Sequence, residues 1–332
     1  MPESRVFVTR VVPDAGLEKI HAASEAEVWE GEKPPSYEAL LEKIVGLDGL
    51  VCLLTDQIDR ELMDAAGGSL RVISQMAVGF DNIDVAAATE RGIPVGNTPG
   101  VLTDTTADFA FTLLMAAARR VVEGERYVKD GKWVTWGPTL LMGQDIHRAT
   151  LGLVGLGRIG KGMARRARGF GMRVIFSDPT VDEAEAKGLG AEPSELDDLL
   201  GESDFVSLHV PLTPETKHMI GKREFKLMKP SAILINTARG AAVDPSALYQ
   251  ALKEGEIAYA ALDVTEPEPI SVDDPLLTLA NCLIVPHIAS SSLATRSRMA
   301  TMAAENLEAG LNGEELPHCV NPEVYKSGLA RS

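Results

Sequence analysis

This chain of 332 residues has few cysteines, a deficit of basic residues and no long apolar run. Its three cysteines, Cys52, Cys282 and Cys319, lie far apart and form no C-x-x-C pair, so we expect no disulfide framework and no zinc or redox motif. The longest apolar stretch, residues 109–118, is interrupted by Thr112 and falls short of the roughly 20 residues that a membrane-spanning helix needs. The first residues also lack a signal-peptide pattern. These observations predict a protein of the reducing cytoplasm with no membrane partner.

The charge balance excludes another class of partner. Lys and Arg number 32 against 48 Asp and Glu, which gives a net charge of −16 at pH 7. A surface this acidic repels phosphate backbones, so we expect no nucleic-acid partner. The chain is also longer than the about 250–300 residues that one hydrophobic core usually organises, which predicts two domains.

The first ninety residues alternate short apolar strands with helix-period segments. The predicted strands are 6–9, 26–29, 50–54 and 71–74, and the predicted helices are 14–24, 36–46, 59–66 and 84–91. Strands that return through a helix run parallel, and parallel sheets are covered on both faces. The pattern therefore predicts an open, doubly wound α/β domain.

A second series of strands and helices follows a break at residues 97–100. A long helix is predicted over 103–129, and the predicted strands are 150–154, 173–177, 204–208, 232–236, 259–263 and 283–285. Six strands suit a complete dinucleotide fold. We expect a final helix over 292–312 to return to the first domain, and the polar tail from Asn321 to be frayed.

A glycine-rich motif stands at the start of this second series. Gly155, Gly157 and Gly160 form G-x-G-x-x-G between a predicted strand and a helix, the setting of a dinucleotide pyrophosphate site. Asp178 follows at close to the expected spacing of about 20 residues and would bind the adenosine ribose. The alternatives are a glycine-rich turn without a ligand and, because Pro179 follows, an aspartate that serves only the turn.

Polar residues follow four later strands at the edge where an open α/β sheet binds its ligands. The segments are 209–214, 236–240, 263–269 and 285–289. Three of them have an ordinary alternative: a solvated turn at His209, a surface charge at Arg239, and a structural role for His287. Taken together, however, a histidine, a carboxylate and an arginine beside a dinucleotide supply what hydride transfer needs, namely a proton, a group that keeps it available, and a cation for an anionic substrate.

Over nearly the whole chain the sequence resembles the D-2-hydroxyacid dehydrogenase family, and within it the glyoxylate/hydroxypyruvate reductases. The resemblance rests on residues 78–82, 103–110, 155–160, 236–240, 262–269 and 286–290. The resemblance implies that residues 99–289 are a Rossmann domain inserted into a flavodoxin-like substrate domain of residues 1–98 and 290–332. It also implies that the two domains share a substrate cleft. By this resemblance the catalytic residues are Arg239, Glu268 and His287, and the substrate contacts are Leu54, Val78, Gly79, Arg239 and Trp136. The implied cofactor contacts, beyond the three glycines, are Thr106, Arg158, Ile159, Asp178, His209, Pro211, Ala238 and Asp263.

The expected reaction is the reduction of glyoxylate or hydroxypyruvate to glycolate or D-glycerate, with no metal. NADH is expected rather than NADPH, because family members of this group that use NADPH tend to carry arginine near the end of the second strand of the cofactor domain, whereas this chain has Asp178 in residues 176–179. Other open alternatives are a 2-ketogluconate reductase, a 3-phosphoglycerate dehydrogenase, and a dinucleotide-sensing protein similar to the family's corepressors. The presence of Arg239, Glu268 and His287 argues against the dinucleotide-sensing protein.

Two tryptophans lie in an irregular, glycine-flanked loop before the first strand of the second series. Large aromatic residues in such loops mark interfaces, although Trp133 and Trp136 could instead cover their own domain. In the reductases that the chain resembles, a tryptophan in a similar setting reaches into the neighbouring subunit's pocket. The expectation is therefore a homodimer in which Trp136 completes the partner's cleft.

Overall fold

The structure, a computed structural model, describes residues 4–326 apart from the side chain of Glu183. The chain divides into two compact units, one made of the residues up to Leu102 and those from Ser291, the other of Thr103–Ser290. Each unit contains a parallel sheet with apolar cores on both faces. The predicted fold class, two doubly wound α/β sheets, is confirmed.

The first unit begins with five strands and four helices. The strands are β1 (Arg5–Val8), β2 (Glu25–Val28), β3 (Gly49–Cys52), β4 (Val72–Gln75) and β5 (Val95–Gly96), and the helices are α1 (Asp14–Ala23), α2 (Tyr37–Lys43), α3 (Arg60–Ala65) and α4 (Val85–Glu90). The sheet order is β2-β1-β3-β4-β5 with every pair parallel, which is the flavodoxin-like order. The sequence pattern missed β5, because two residues are too few to show a period.

The second unit contains a larger sheet of the Rossmann type. Its strands are β6 (Thr150–Val154), β7 (Arg173–Ser177), β8 (Ala191–Pro193), β9 (Phe205–Leu208), β10 (Ile233–Asn236), β11 (Tyr259–Leu262) and β12 (Cys282–Ile284). Its helices are α5 (Thr103–Ala118), α6 (Val121–Lys129), α7 (Arg158–Gly169), α8 (Glu183–Leu189), α9 (Leu196–Glu202), α10 (Lys222–Leu227) and α11 (Pro245–Glu254), with 3₁₀ turns at Gly240–Ala242 and Pro275–Thr278. The order β12-β11-β10-β9-β6-β7-β8 is the Rossmann order with β12 added at one edge. The prediction of six strands was wrong, because β8 is a three-residue edge strand that ends in proline.

The single helix predicted over 103–129 is in fact two helices. Arg120 separates α5 from α6 with a left-handed backbone, at φ 51° and ψ 39°. The carbonyl of Ala118 accepts from the N–H of Gln144 at 2.8 Å, so it is engaged by a distant loop at the point where the helix stops. The apolar periodicity of the sequence continues through this break and could not reveal it.

The chain returns to the first unit through α12 (Leu293–Leu311) and α13 (Glu323–Lys326). Ser74 Oγ donates to the Ala303 carbonyl at 2.7 Å, and a Cβ on Gly310 would lie 2.5 Å from that of Val72, so α12 packs tightly on β4. The expectation of a frayed tail from Asn321 was wrong for the described residues. Asn321 is fully buried, accepts from the Val95 N–H at 2.8 Å and donates to the Ile93 carbonyl at 3.0 Å. Residues 327–332 of the predicted tail lie outside the described residues.

None of the helices within residues 4–326 combines the length and the apolar character that crossing a bilayer requires.

Candidate active site

The glycine-rich turn joins β6 to α7. Gly155 has φ 91°, and a Cβ on it would lie 2.9 Å from the backbone of His209, while a Cβ on Gly160 would lie 2.4 Å from the Gly155 carbonyl oxygen. A Cβ on Gly157 would meet nothing within 4 Å, and α7 begins at the next residue, Arg158. This open space at a helix N-terminus fits a pyrophosphate, whose negative charge the helix dipole and the first N–H groups stabilise.

Asp178 stands at the end of β7 and is tied to that turn. Its Oδ2 accepts from the Leu156 N–H at 2.8 Å, and its Oδ1 accepts from the N–H and Oγ1 of Thr180 at 2.9 and 2.7 Å. Partial burial works to raise the pKa of Asp178, but these hydrogen bonds outweigh it and hold the pKa below its ordinary value. The carboxylate is therefore ionised at neutral pH. It organises the backbone at Thr180 and the glycine-rich turn, in agreement with the alternative that Asp178 is a turn residue. Its contact with the adenosine ribose stays a prediction.

The loop after β10 places Arg239 at the carboxyl end of a central strand. The Asn236 side chain bridges the loop, donating to the Arg239 carbonyl at 2.8 Å and accepting from the Ala238 N–H at 3.0 Å. The Thr237 hydroxyl is buried and has no hydrogen-bond partner among the residues that the structure describes. A buried hydroxyl without a partner is unfavourable, and a dinucleotide bound at this edge would supply one.

His287 and Glu268 form a pair in the loops that follow β12 and β11, beyond the carboxyl ends of these strands. His287 Nδ1 lies 2.6 Å from Glu268 Oε1, and both side chains are partly exposed. His287 has φ 51°, a left-handed conformation that is uncommon outside glycine and clusters at functional sites. Within residues 4–326 the other ring nitrogen, Nε2, has no hydrogen-bond partner, so the pair presents one imidazole nitrogen for proton transfer.

Asp263 holds the His287 loop in this conformation. Its backbone carbonyl accepts from the His287 N–H at 2.9 Å, and its two carboxylate oxygens accept from the N–H groups of Ile288 and Ala289 at 2.7 and 2.9 Å. Burial raises the pKa of Asp263, although these hydrogen bonds act in the opposite direction. The carboxylate of Asp263 therefore positions the His287 loop, and the cofactor contact expected at this residue stays a prediction.

Three adjacent strands bring the predicted catalytic residues to one sheet edge. Arg239 follows β10, Glu268 lies in the loop after β11, and His287 follows β12. The first two loops touch, because a Cβ on Gly240 would lie 2.0 Å from the Thr265 carbonyl oxygen. Only glycine fits there, so this close approach fixes the spacing of the Arg239 and Glu268 loops.

The remaining predicted cofactor residues lie on neighbouring elements of the second unit. Arg158 and Ile159 form the first turn of α7, Thr106 is buried in α5, and Pro211 follows β9. His209 Nε2 lies 2.9 Å from Ser207 Oγ, and burial lowers the pKa of His209 to about 4. His209 is therefore neutral at physiological pH and would contact a cofactor without adding charge.

The predicted substrate contacts Leu54, Val78 and Gly79 belong to the first unit, in the loops after β3 and β4. Asn97 Nδ2 donates to the Val78 carbonyl at 2.8 Å. A trans peptide points its C=O and N–H in opposite directions, so this bond also fixes the direction of the Gly79 N–H. Among the described residues, the N–H groups of Val78 and Gly79 have no hydrogen-bond partner, which suits the binding of a carboxylate.

The predicted interface loop is exposed. Trp133 is 59% exposed and Trp136 is 77% exposed, so neither covers the core of its own unit. They belong to an exposed apolar segment, residues 121–142, whose other exposed members are Val121, Val128, Val134, Leu140 and Met142. Helix α6, which begins the segment, has no buried residue.

Sequence reasoning singled out the residues with titratable or cationic side chains and missed those that position them. Asn236 and Thr180 were not selected, although each lies within three residues of a selected one, and that proximity at a strand end was the available signal. Within residues 4–326 no group of three His, Cys, Asp or Glu side chains is placed to hold a metal ion.

Comparison with known proteins shows the family of this chain. Residues 111–289 match the model of the D-isomer specific 2-hydroxyacid dehydrogenase NAD-binding domain. The chain is 58% identical over 323 residues to a glyoxylate reductase of Korarchaeum cryptofilum, with 97% of each chain covered. Its structure is similar to that of the TT0316 protein of Thermus thermophilus, with a TM-score of 0.90 and 48% identity over 95% of this chain and 99% of that one.

A further similar structure is that of an NADPH-dependent glyoxylate/hydroxypyruvate reductase of Sinorhizobium meliloti in complex with NADP and malonate. The TM-score is 0.85 at 33% identity, with 96% of this chain and 97% of that chain covered. Relatives match along almost the full length of the chain, and the family model falls within the unit that holds the glycine-rich turn and the His287–Glu268 pair. The chain therefore belongs to the D-isomer specific 2-hydroxyacid dehydrogenases and carries the NAD-binding domain of that family.

Proposed function

We propose that this protein reduces glyoxylate to glycolate, and hydroxypyruvate to D-glycerate, with NADH as the preferred reductant. The observation that carries the proposal is the His287–Glu268 pair, fixed by Asp263 at the end of β12 and two strands from Arg239. The names of the relatives support glyoxylate as substrate, and the Sinorhizobium meliloti enzyme supports hydroxypyruvate.

The proposed chemistry assigns the proton to the protein. The nicotinamide, when bound, supplies the hydride that reaches the keto carbon. His287 donates a proton from Nε2 to the oxygen that becomes the hydroxyl, so that hydride and proton together convert the ketone or aldehyde to an alcohol. Glu268, on Nδ1, orients the imidazole and stabilises its charged form. A general acid placed in this way contributes about 10²- to 10⁴-fold to the rate.

Arg239 is the proposed partner of the substrate's negative charge. A guanidinium presents donors in a fixed fork, so it can bind the carboxylate and polarise the neighbouring carbonyl at once. The N–H groups of Val78 and Gly79 are proposed to bind the same carboxylate, and Leu54 to contact the rest of the substrate. These contacts follow from the family resemblance and suit the unpaired N–H groups in the loop after β4.

The proposed cofactor site uses the open space at Gly157 for the pyrophosphate and Asp178 for the adenosine ribose. An ionised Asp178 can accept from both ribose hydroxyls but would repel a 2′-phosphate. Like charges about 4 Å apart repel by roughly 1 to 4 kcal/mol in media from water to a protein surface, which is about fivefold or more in affinity. The similar Sinorhizobium meliloti enzyme is NADPH-dependent, so the proposed preference of this chain for NADH rests on Asp178 alone.

A homodimer belongs to the same proposal. Exposed tryptophans in an apolar segment are typical of protein interfaces. We assign the exposed apolar segment to the dimer contact and Trp136 to the partner's substrate pocket, where it would favour small substrates. The proposed setting is the cytoplasm, in keeping with Cys52, Cys282 and Cys319, all of which are free thiols.

The direct test of the reaction is NADH oxidation, followed by absorbance, with a panel of 2-keto acids. We expect turnover of glyoxylate and hydroxypyruvate, with little for 2-ketogluconate and 3-phosphohydroxypyruvate. Turnover of either larger acid alone would support the corresponding dehydrogenase instead. Cofactor binding without turnover of any acid would favour a dinucleotide-sensing protein.

Light scattering and substrate profiling test the dimer. We expect twice the chain mass in solution, and we expect Trp136→Ala to accept bulkier 2-keto acids while NADH binding changes little. Trp29→Ala in the first unit, which removes a tryptophan outside the segment, is the control. A monomeric and fully active wild type would refute the shared pocket.

A further inference from the structure

A connected set of polar side chains lies beneath the two loops of the first unit to which substrate contacts are assigned. Gln75, the last residue of β4, is fully buried, and Asn82 follows it across the loop that contains Val78 and Gly79. Gln75 Nε2 donates to Asn82 Oδ1 at 2.6 Å and to the Gly79 carbonyl at 3.1 Å. Gln75 Oε1 accepts from the Cys52 thiol at 3.0 Å. Both ends of the Gln75 amide are therefore satisfied.

Asn82 extends this network to the other loop. Its Nδ2 donates to the Leu53 carbonyl at 3.0 Å and to the Asp56 carbonyl at 2.8 Å. These two carbonyls bracket Leu54, one of the proposed substrate contacts. The backbone of Asn82 continues the link, because its carbonyl accepts from the Ile58 N–H at 3.0 Å. One amide side chain thus joins the loop after β3 to the loop after β4.

The network controls which way backbone groups face. The C=O and N–H of a planar trans peptide point in opposite directions, so a bond to the carbonyl also sets the direction of the N–H. Asn82, by binding the Leu53 carbonyl, orients the peptide that carries the Leu54 N–H. Gln75, by binding the Gly79 carbonyl, orients the peptide that follows Gly79. Glycine tolerates many backbone conformations, so the Gly79 peptides depend on such outside contacts for a fixed direction. Backbone N–H groups that bind a carboxylate must be aimed before the ligand arrives, because a misplaced group loses most of its effect.

We infer that Asn82 and Gln75 are positioning residues that hold the Leu54 backbone and the carbonyl side of Gly79 in place around the proposed substrate site. The inference rests on the proposed function, because it assumes that this backbone binds a 2-keto acid. Neither side chain is assigned to touch the substrate. Their effect should therefore appear in substrate affinity and not in cofactor binding, whose proposed contacts lie in the second unit.

Asn82→Asp is the sharpest variant, because it keeps the size of the side chain and replaces the donor with an oxygen that faces the Leu53 and Asp56 carbonyls. We expect the KM for glyoxylate to rise about tenfold or more and kcat to change much less. This is the pattern expected when a mutation weakens the binding of the substrate and of the transition state equally. The dissociation constant for NADH, measured by fluorescence, should stay at the wild-type value.

The second unit offers a matched control. Asn281 Nδ2 also bridges two backbone carbonyls, those of Leu252 and Ala258, at 3.1 and 3.2 Å. Asn281→Asp should cost comparable thermal stability and leave the KM for glyoxylate unchanged. If Asn82→Asp does not fold, Gln75→Met serves as the test, since it keeps an unbranched chain of similar length and removes the donor to the Gly79 carbonyl.

The outcomes separate this inference from the proposed function. A wild type that turns over no 2-keto acid overturns both. An active wild type whose Asn82→Asp or Gln75→Met variant folds with an unchanged glyoxylate KM overturns the positioning role alone, as does an equal rise of KM in Asn281→Asp. A rise of KM confined to the Asn82 and Gln75 variants supports it.

Discussion

Two histidine–glutamate pairs of the second unit look alike at the level of geometry. His287 Nδ1 lies 2.6 Å from Glu268 Oε1, and His218 Nε2 lies 2.5 Å from Glu266 Oε2. Both pairs are partly exposed, and the two histidines have nearly the same left-handed φ, 51° and 52°. The two glutamates are even neighbours in one loop. Pair geometry alone would nominate both as proton donors.

Their surroundings distinguish them. His287 follows β12 at the sheet edge that also holds Arg239, and Asp263 binds its backbone and the next two N–H groups. His218 stands before α10, donates its N–H to the Ala241 carbonyl at 2.7 Å, and ties its loop to that of Glu266. We conclude that the strand-end position and the supported backbone, more than the pair itself, define the candidate proton donor. Substitutions at the sheet edge and at each pair can break or sharpen this distinction.

A large effect is expected at Arg239. Arg239→Lys keeps the charge but loses the fork that spans carboxylate and carbonyl, so kcat/KM for glyoxylate should fall about 10²-fold or more, as when a donor to the reacting oxygen is removed. Arg223→Lys, on an exposed arginine that pairs with Asp197, is the matched control and should have wild-type kinetics. Near-normal steady-state constants for Arg239→Lys would mean that Arg239 is only a surface charge.

Glutamine substitutions at the two glutamates compare the pairs directly. Glu268→Gln removes the negative charge beside His287, so the loss of activity with rising pH should begin at a lower pH than in the wild type. Glu266→Gln should leave the pH profile of kcat/KM unchanged. Identical profiles for Glu268→Gln and the wild type would reject the catalytic pairing.

Substitution of Asp178, which follows β7, tests whether this carboxylate determines the cofactor preference. The wild type should prefer NADH to NADPH by about fivefold or more, and Asp178→Ala should reduce that ratio by removing the repulsion of a 2′-phosphate. Asp182→Asn, at the nearby cap of α8, should keep the wild-type ratio. Equal use of both cofactors by the wild type would contradict the assignment.

The smallest effect is expected from breaking the His218–Glu266 pair, which we interpret as a structural contact. Because the His218–Glu266 pair is substantially exposed, His218→Ala should lower the free energy of unfolding by no more than about 1 kcal/mol. Chemical denaturation of both proteins at one pH measures the difference. A much larger loss would show that the pair supports the Glu268 loop more strongly than its exposure indicates.

The features that the sequence predicted well depend on residues that are close together in the chain. Strands such as Thr150–Val154 and the three glycines of the turn can be recognised from their neighbours in the chain, and the strand ends then nominate Arg239 and His287 as candidates. The family resemblance added Glu268 as the partner of His287, and the 2.6 Å contact agrees with that pairing.

The features that the sequence did not predict depend on contacts between distant residues. The break at Arg120 accompanies a hydrogen bond from Gln144 to Ala118, and the ordered tail depends on Asn321 binding the backbone of β5 more than two hundred residues earlier in the chain. Gln75, and the role of Asn82 at the end of the 78–82 segment, were not predicted for a related reason. Their amides act on backbone carbonyls, which every residue has, so no pattern of residue types marks them.

The most direct test of the central claim is a comparison of His287→Ala with His218→Ala. With NADH and glyoxylate, kcat of His287→Ala should fall by about 10²- to 10⁴-fold, the contribution of a general acid, while its dissociation constant for NADH stays at the wild-type value. His218→Ala should retain the wild-type kcat. Equal losses in the two variants, or a wild-type kcat in His287→Ala, would contradict the assignment of His287 as the proton donor.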